Sequence, residues 1–183
     1  FSGDLAPALM TLGGEVDLIG PKGRRSLALA DLYIGVARHD AEAGGGDGKH
    51  YLALEPGEIV VGVRVRNTKG LRSAYDKIRI RRSIEYPVAG VAVALRREAD
   101  SLADLRVAVT GTNPRPVLLD GTQQLCGGAL DEGVFKGLEE LVRDQIMSMK
   151  TTFTPGHYRR RMAGVLAQRL VSRLFESSPV IPA

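Results

Sequence analysis

Apolar residues recur at helical spacing from the start of the chain. Leu5, Ala8, Leu9 and Leu12 follow the i, i+3, i+4, i+7 rule, Asp4 stands before them as a candidate N-cap, and Gly13-Gly14 closes the run. This predicts a short amphipathic helix. The period then shortens to two over residues 15–19, and the turn chemistry of Gly20-Pro21-Lys22-Gly23 with a second extended run over 25–29 predicts a hairpin. Residues 30–35 suit one helical turn. From 37 to 50 the polar residues around Gly44-Gly45-Gly46-Asp47-Gly48 bury too little apolar area to fix one conformation, so a mobile surface loop is expected.

Glu55-Pro56-Gly57-Glu58 is a turn that launches a β-branched strand over 59–66, and residues 67–70 break it. The next segment alternates, with Tyr75, Lys77, Arg79 and Arg81 on one side and Ile78 and Ile80 on the other, which predicts a strand with a cationic face. Val/Ala-rich strands are expected over 88–95 and 105–110, with a turn in 98–104, as an antiparallel meander.

After Gly111 the run Asn113-Pro114-Arg115-Pro116 enforces an extended path, and short apolar pieces at 117–119 and Leu125 follow. Asp131 is a candidate N-cap for a helix to Ile146 carrying Val134, Leu138, Leu141, Val142 and Gln145 on adjoining positions. For the last helix, Thr154 is the expected cap and Pro155 the first helical residue. Tyr158, Met162, Val165, Leu166, Leu170 and Leu174 are its expected buried stripe. Strands followed by helices indicate an α+β fold without internal repeats.

Composition narrows the class. The chain has 183 residues, 44% hydrophobic and 25% charged, as in globular proteins, and its longest apolar runs are far too short to span a bilayer. One cysteine and three scattered histidines supply neither a disulfide nor a zinc or iron–sulfur ligand set, so no metal site is expected and the cytoplasm is the expected compartment. A net charge of +4 suits an anionic ligand without demanding nucleic acid. The chain opens Phe1-Ser2-Gly3-Asp4, with neither an initiator Met nor a signal-peptide pattern, and further chain is expected upstream.

Candidate chemistry is sparse. His39, His50 and His157 lie near no nucleophile, no G-x-S-x-G or phosphate-loop run occurs, and no catalytic residue is assigned. Cys126, between Leu125 and Gly127, reads as a small core residue rather than a reactive thiol. Arg159-Arg160-Arg161 opens the last helix, where cations oppose the helix dipole, which hints at a partner, with a solvated basic face as the alternative. Lys77 with a neighbouring arginine and Tyr75 on one strand face suits a phosphate, a carbonyl oxygen or a reduced flavin anion, and a salt-bridged strand is the alternative.

Four stretches, in order, resemble the FAD-binding subunits of molybdenum hydroxylases, the carbon monoxide dehydrogenase and xanthine dehydrogenase type. Gly3-Asp4-Leu5-Ala6-Pro7-Ala8-Leu9 with Leu12-Gly13-Gly14 resembles the helix after that family's second glycine motif. Leu54-Glu55-Pro56-Gly57-Glu58-Ile59 is similar to its strand-launching turn, and Ser73-Ala74-Tyr75-Asp76-Lys77 with Arg81-Arg82 to its following strand. Tyr158-Arg159-Arg160 with Val165-Leu166 and Arg169 resembles its terminal helix. Residues 47–52 and 150–155 look most like the hydroxybenzoyl-CoA reductase β-subunit branch.

The resemblance implies an electron-relaying FAD subunit. Its partners would be a molybdenum-cofactor subunit and a [2Fe–2S] subunit in an often dimerised heterotrimer, with ferredoxin as electron donor in the reductase branch. It implies that Asp4 reaches the ribityl/phosphate side of FAD, Val60 packs near the isoalloxazine, Lys77 meets the pyrimidine edge, and Tyr75 neighbours it. It also implies a division into the end of an FAD-binding domain, 1–67, and a C-terminal domain, 68–183, of a small antiparallel sheet packed with helices. The glycine-rich loops that hold the pyrophosphate in that family are not in this sequence, and Glu85 stands where many members carry aspartate. An FAD-free docking module is the competing reading; a nucleic-acid binder ranks last.

Overall fold

Alternation in side-chain size, rather than polarity, organises the larger sheet. In the computed structural model, which describes residues 1–35, 51–81, 84–147 and 154–177, the strands β4 (Arg72–Ile78), β5 (Ala89–Glu98), β6 (Ser101–Thr110) and β7 (Val117–Leu118) form an antiparallel meander in that order. Along β5, Val91, Val93 and Leu95 face one side with Leu105, Val107 and Val109 of β6, and all are fully buried against helices α3 (Glu132–Gln145) and α4 (Gly156–Glu176). The small residues Ala92 and Ala108 face the other side, where Met10 of helix α1 (Leu5–Thr11) packs on them. A sheet covered on both faces carries large residues under the thick helical layer and small ones where a helix comes close. Burying each of those Val and Leu side chains contributes about 1.5–3 kcal/mol.

A second sheet, in the order β2 (Gly23–Ala28), β1 (Glu15–Gly20), β3 (Ile59–Arg64), sits beside α1 and the single turn α2 (Leu29–Leu32). Val16 and Leu18 of β1 join Met10, Leu29 and Leu32 in a satellite core continuous with Ala92 and Ala108. Its outer face is ionic: Asp17 accepts from Ser26 (2.6 Å) and pairs with Arg64 (2.7 Å), while Arg66 pairs with Glu15 (3.0 Å). Arg25 donates through Nε and Nη2 to Glu58 (2.7 Å each) and through Nη2 to the Ala53 carbonyl (2.8 Å), tying β2 to the turn before β3. With Glu55 N–H also on Glu58, these bonds hold the Glu58 carboxyl well below its ordinary range, at about 2.

The α+β architecture and the meander match expectation, and several details differ. The turn expected across 98–104 is only Ala99-Asp100: the strands run on to Glu98 and from Ser101, and Ala99 adopts a left-handed φ of 51°. Strand β4 stops at Ile78, so Arg79, Ile80 and Arg81 lie beyond it and the cationic strand face reduces to Tyr75 and Lys77. In α1 the buried residues are Ala6, Pro7, Met10 and Thr11, whereas Leu5 is 70% exposed. In α4 the buried residues are Arg159, Ala163, Gly164, Leu166, Ala167, Leu170, Val171 and Leu174, and Tyr158 is exposed. Pro155 is the N-cap residue rather than the first helical one.

Asp131 does cap α3, accepting from Val134 N–H at 3.0 Å, and the expected α3 stripe is buried except for half-buried Leu141. Gln145 on that stripe exchanges bonds with the backbone of Asp120 (2.8 Å each way), which satisfies its buried amide. The predicted loop with Gly44–Gly48, together with His39 and His50, falls outside the described residues.

Candidate functional site

The first residues of the chain reach the edge of the larger sheet. Gly111 N–H donates to the Phe1 carbonyl (3.0 Å), and the Phe1 ring packs edge-on against Tyr33 with centroids 5.0 Å apart. This anchorage delivers Asp4, at the foot of α1, over the β4 face carrying Tyr75 and Lys77. Asp4 makes no capping bond to its helix. Its Oδ1 accepts from the Tyr75 hydroxyl (2.7 Å) and its Oδ2 pairs with Lys77 Nζ (2.5 Å).

Tyr75 and Lys77 are two apart on one strand, so period-two geometry puts both on the α1 side. Ala74 and Ile78, of opposite parity, pack into the α3/α4 core. Two glycines make room. A Cβ on Gly90, the β5 partner of Lys77, would overlap the Tyr75 hydroxyl, and at Gly111 one would press on the Pro87 carbonyl at 2.8 Å, where φ is 80°.

Burial by itself would raise the Asp4 pKa, but the hydrogen bonds from Lys77 and Tyr75 outweigh it and hold the carboxyl below its ordinary value. Tyr75 moves up, because of its burial first and then because it donates to a carboxylate. The cluster is therefore a carboxylate held between a neutral phenol and an ammonium.

Asp4 and Lys77 line an open cleft of about 740 Å³. Its opposite wall is the segment after β4, where Arg81 donates its backbone N–H (2.7 Å) and its Nε (3.4 Å) to Glu85. Ile80, Ile84 and Tyr86 are exposed apolar side chains along this rim, and Val88 and Pro87 are buried at its base. Arg159, from the first turn of α4, closes the inner end and donates to the carbonyls of Val88 (3.1 Å) and Gly111 (2.9 Å). An ammonium, a guanidinium and a carboxylate beside an apolar wall form a donor set suited to a flat heteroaromatic group with an electron-rich polar edge.

Of the four residues singled out from sequence, Asp4, Tyr75 and Lys77 meet. Val60 does not join them: it sits on β3 opposite Leu18, 42% exposed, and does not line the cleft. Sequence reasoning missed the internal role of Arg159, the rim Ile80-Arg81-Ile84-Glu85-Tyr86 and the glycine beneath Tyr75. Only the Gly90 position, the lone side-chain gap in a Val/Ala strand, carried a signal. Cys126 is half-buried against the core, and its thiol pKa is raised by burial and by Asp104, as expected of a structural cysteine. Among the described residues no cluster of His, Cys, Asp or Glu suits a metal ion, and no helix is long and apolar enough to cross a membrane.

An antiparallel four-stranded sheet backed by two helices, with a carboxylate, a phenol and a lysine meeting on its other side, places the chain in the α+β class. Residues 73–174 match the family described as CO dehydrogenase flavoprotein C-terminal domain, and the chain belongs to it. It is 29% identical over 174 residues to the carbon monoxide dehydrogenase medium chain of Afipia carboxidovorans, covering 93% of this chain and 56% of that one. It is 28% identical over 167 residues to the aldehyde oxidoreductase FAD-binding subunit PaoB of Escherichia coli K12, covering 90% and 47%. The fold superposes on reconstituted CO dehydrogenase from Oligotropha carboxidovorans with a TM-score of 0.81 and 26% identity over 96% of this chain and 57% of that chain. The chain thus spans about half the length of the relatives it matches.

Proposed function

We propose that this chain is the C-terminal part of an FAD-carrying subunit of a molybdenum-hydroxylase-type oxidoreductase, in which flavin passes electrons to or from iron–sulfur centres on companion chains. The observation that carries the reading is the Asp4–Tyr75–Lys77 cluster at the cleft, formed by two segments 71 residues apart that each resemble the family. Lys77 would meet the pyrimidine edge of the flavin, Asp4 the ribityl side, and Tyr75 would hold Asp4 between them. Val60 belongs to the same proposal on resemblance alone, as part of the surface that closes over the ring.

The residues present fit part of the group. Cations and a carboxylate beside apolar rim residues match the polar edge and the flat body of a flavin, while a glycine-rich pyrophosphate cradle is not in this sequence. Such a cradle would come from the remainder of a longer subunit. Ile59, Val60, Val61, Val63 and Val65, exposed along and just beyond β3, support that arrangement, because an uncovered apolar strand of this length is a packing surface. The division into residues 1–67 and 68–183 is part of the same reading.

When bound, FAD supplies the exchange of one or two electrons. This chain's part is to orient the ring and place positive charge at its reducible edge, which favours the anionic reduced form. The partners are a molybdenum subunit and a [2Fe–2S] subunit. The narrower assignment to a hydroxybenzoyl-CoA reductase, with ferredoxin as donor, rests only on residues 47–52 and 150–155, most of them outside the described residues, while the relatives named above act on carbon monoxide and aldehydes.

The test is the visible spectrum and subunit composition of the full-length subunit, with and without added FAD. Flavin absorbance and co-purifying chains are expected. A colourless protein that ignores FAD overturns the reading in favour of the docking module.

A further inference from the structure

Three consecutive arginines open α4, and the helix sends them to different places. Arg159 is buried and bonded to two carbonyls at the cleft. Arg160 and Arg161 instead line a separate groove of about 350 Å³ between α4 and α3. Arg143 of α3 and His157 line the same groove, so four side chains that carry or can carry positive charge converge there against one carboxylate, Glu139. Arg143 is partly offset by Asp144 (3.3 Å), but among the described residues Arg160 and Arg161 have no carboxylate partner. The floor is apolar and recessed: Val142 and Val165 flank Gly164, where an added Cβ would meet nothing nearer than Val142 at 4.0 Å.

We propose that this groove seats an acidic segment of a companion chain, placing that chain one residue along α4 from the Arg159 end of the candidate flavin cleft; this rests on the multi-subunit reading above. The charge pattern selects the occupant. A uniformly anionic polymer such as a nucleic acid would meet Glu139 and find no aromatic side chain to stack on, whereas a protein segment offers carboxylates to Arg160 and Arg161 and apolar side chains to the Gly164 floor. Charge at such a site sets partner choice and approach as much as affinity.

The experiment uses the purified full-length enzyme complex. Arg160→Lys and Arg161→Lys keep the charge and introduce primary amines, which a zero-length carbodiimide joins only to carboxylates at ion-pair distance. Links from these positions to Asp or Glu of a companion chain, missing from the unsubstituted enzyme, are the expected result. Companion chains present but unlinked, or links only to Glu139 and other carboxylates of the same chain, overturn the proposal. A second variant, Arg160→Glu/Arg161→Glu, is expected to weaken retention of the companion chain roughly tenfold at low salt, with melting midpoint and flavin content unchanged. Unchanged retention overturns it as well. A preparation lacking both flavin and companion chains overturns the flavoprotein reading and this one together, so the two failures are told apart by the spectrum and composition of the unsubstituted complex.

Discussion

The Tyr75 hydroxyl occupies the space that a side chain on Gly90 would fill, and from there it reaches Asp4 at 2.7 Å. Gly90 faces Lys77 across the β4–β5 ladder, so one missing Cβ lets the phenol lie flat on the sheet between a lysine and α1. The arrangement makes Gly90 part of the cluster although it contributes no functional group.

Gly90→Ala is therefore expected to expel the phenol from its seat and destabilise the fold by about 1–3 kcal/mol, the range for overpacking a filled site. Tyr75→Phe keeps the ring and removes only the donor, for about 1 kcal/mol. In a double-mutant cycle by urea unfolding, Gly90→Ala should cost less beside Tyr75→Ala, since the overlap with the phenol is gone and only that with the Thr110 methyl, at 2.8 Å, remains. Additive losses would show that the two residues are uncoupled.

Lys77 and Asp4 should move the flavin potential in opposite directions in the complete subunit. Lys77→Ala removes a cation and is expected to lower the potential by an amount on the order of 1 kcal/mol per electron and slow reduction. Asp4→Asn leaves Lys77 uncompensated and is expected to raise it. Redox titration of the two variants decides: shifts of the same sign, or none, remove the electrostatic role assigned to this pair.

The sequence carried the strands, the meander and the α3 cap because each is written in short-range signals: period-two runs, turn residues and an Asp before an amphipathic stretch. It also carried three of the cluster residues, through resemblance. Helix faces were less legible. In α1 and α4 the largest apolar side chains suggested the buried stripe, but α1 turns Met10 inward and leaves Leu5 out, and α4 lays Ala163, Ala167 and Val171 on the sheet. A helix packing closely on a sheet buries small residues as readily as large ones, and only the opposing surface says which. The role of Arg159 was illegible for the same reason, since its partners are backbone carbonyls far away in sequence.

That buried arginine yields a stability prediction. Arg159 bridges the start of β5 and the residue after β6 to the first turn of α4, with Val88 and Gly111 as acceptors. Arg159→Met fills similar space without donors and leaves two buried carbonyls unpaired, so a loss of about 2–3 kcal/mol is expected in urea unfolding. Arg160→Met and Arg161→Met, in the adjacent groove, should change stability by less than about 0.5 kcal/mol. Equal effects at the three positions would contradict the inward placement of Arg159 alone.

Glu58 gives the chain an acid-sensitive fastening between β2 and the turn before β3. Its carboxyl is held at about 2 by Arg25 and the Glu55 N–H, against an ordinary value of 4.5. A depressed carboxylate contributes stability that is fully present above the unfolded value and disappears as pH falls through the folded one. The window for this group therefore runs from about pH 4.5 down to about pH 2, where the unfolded chain takes up the proton first. The melting midpoint should fall across that window, and Glu58→Gln should flatten that part of the profile while lowering the midpoint at pH 7. Because Arg25 stays in the variant, Arg25→Gln provides the complementary measurement: it should flatten the same window. A profile as steep in both variants as in the parent would assign the acid sensitivity to other carboxylates, Asp4 and Asp17 first among them, since both are also held below their ordinary values.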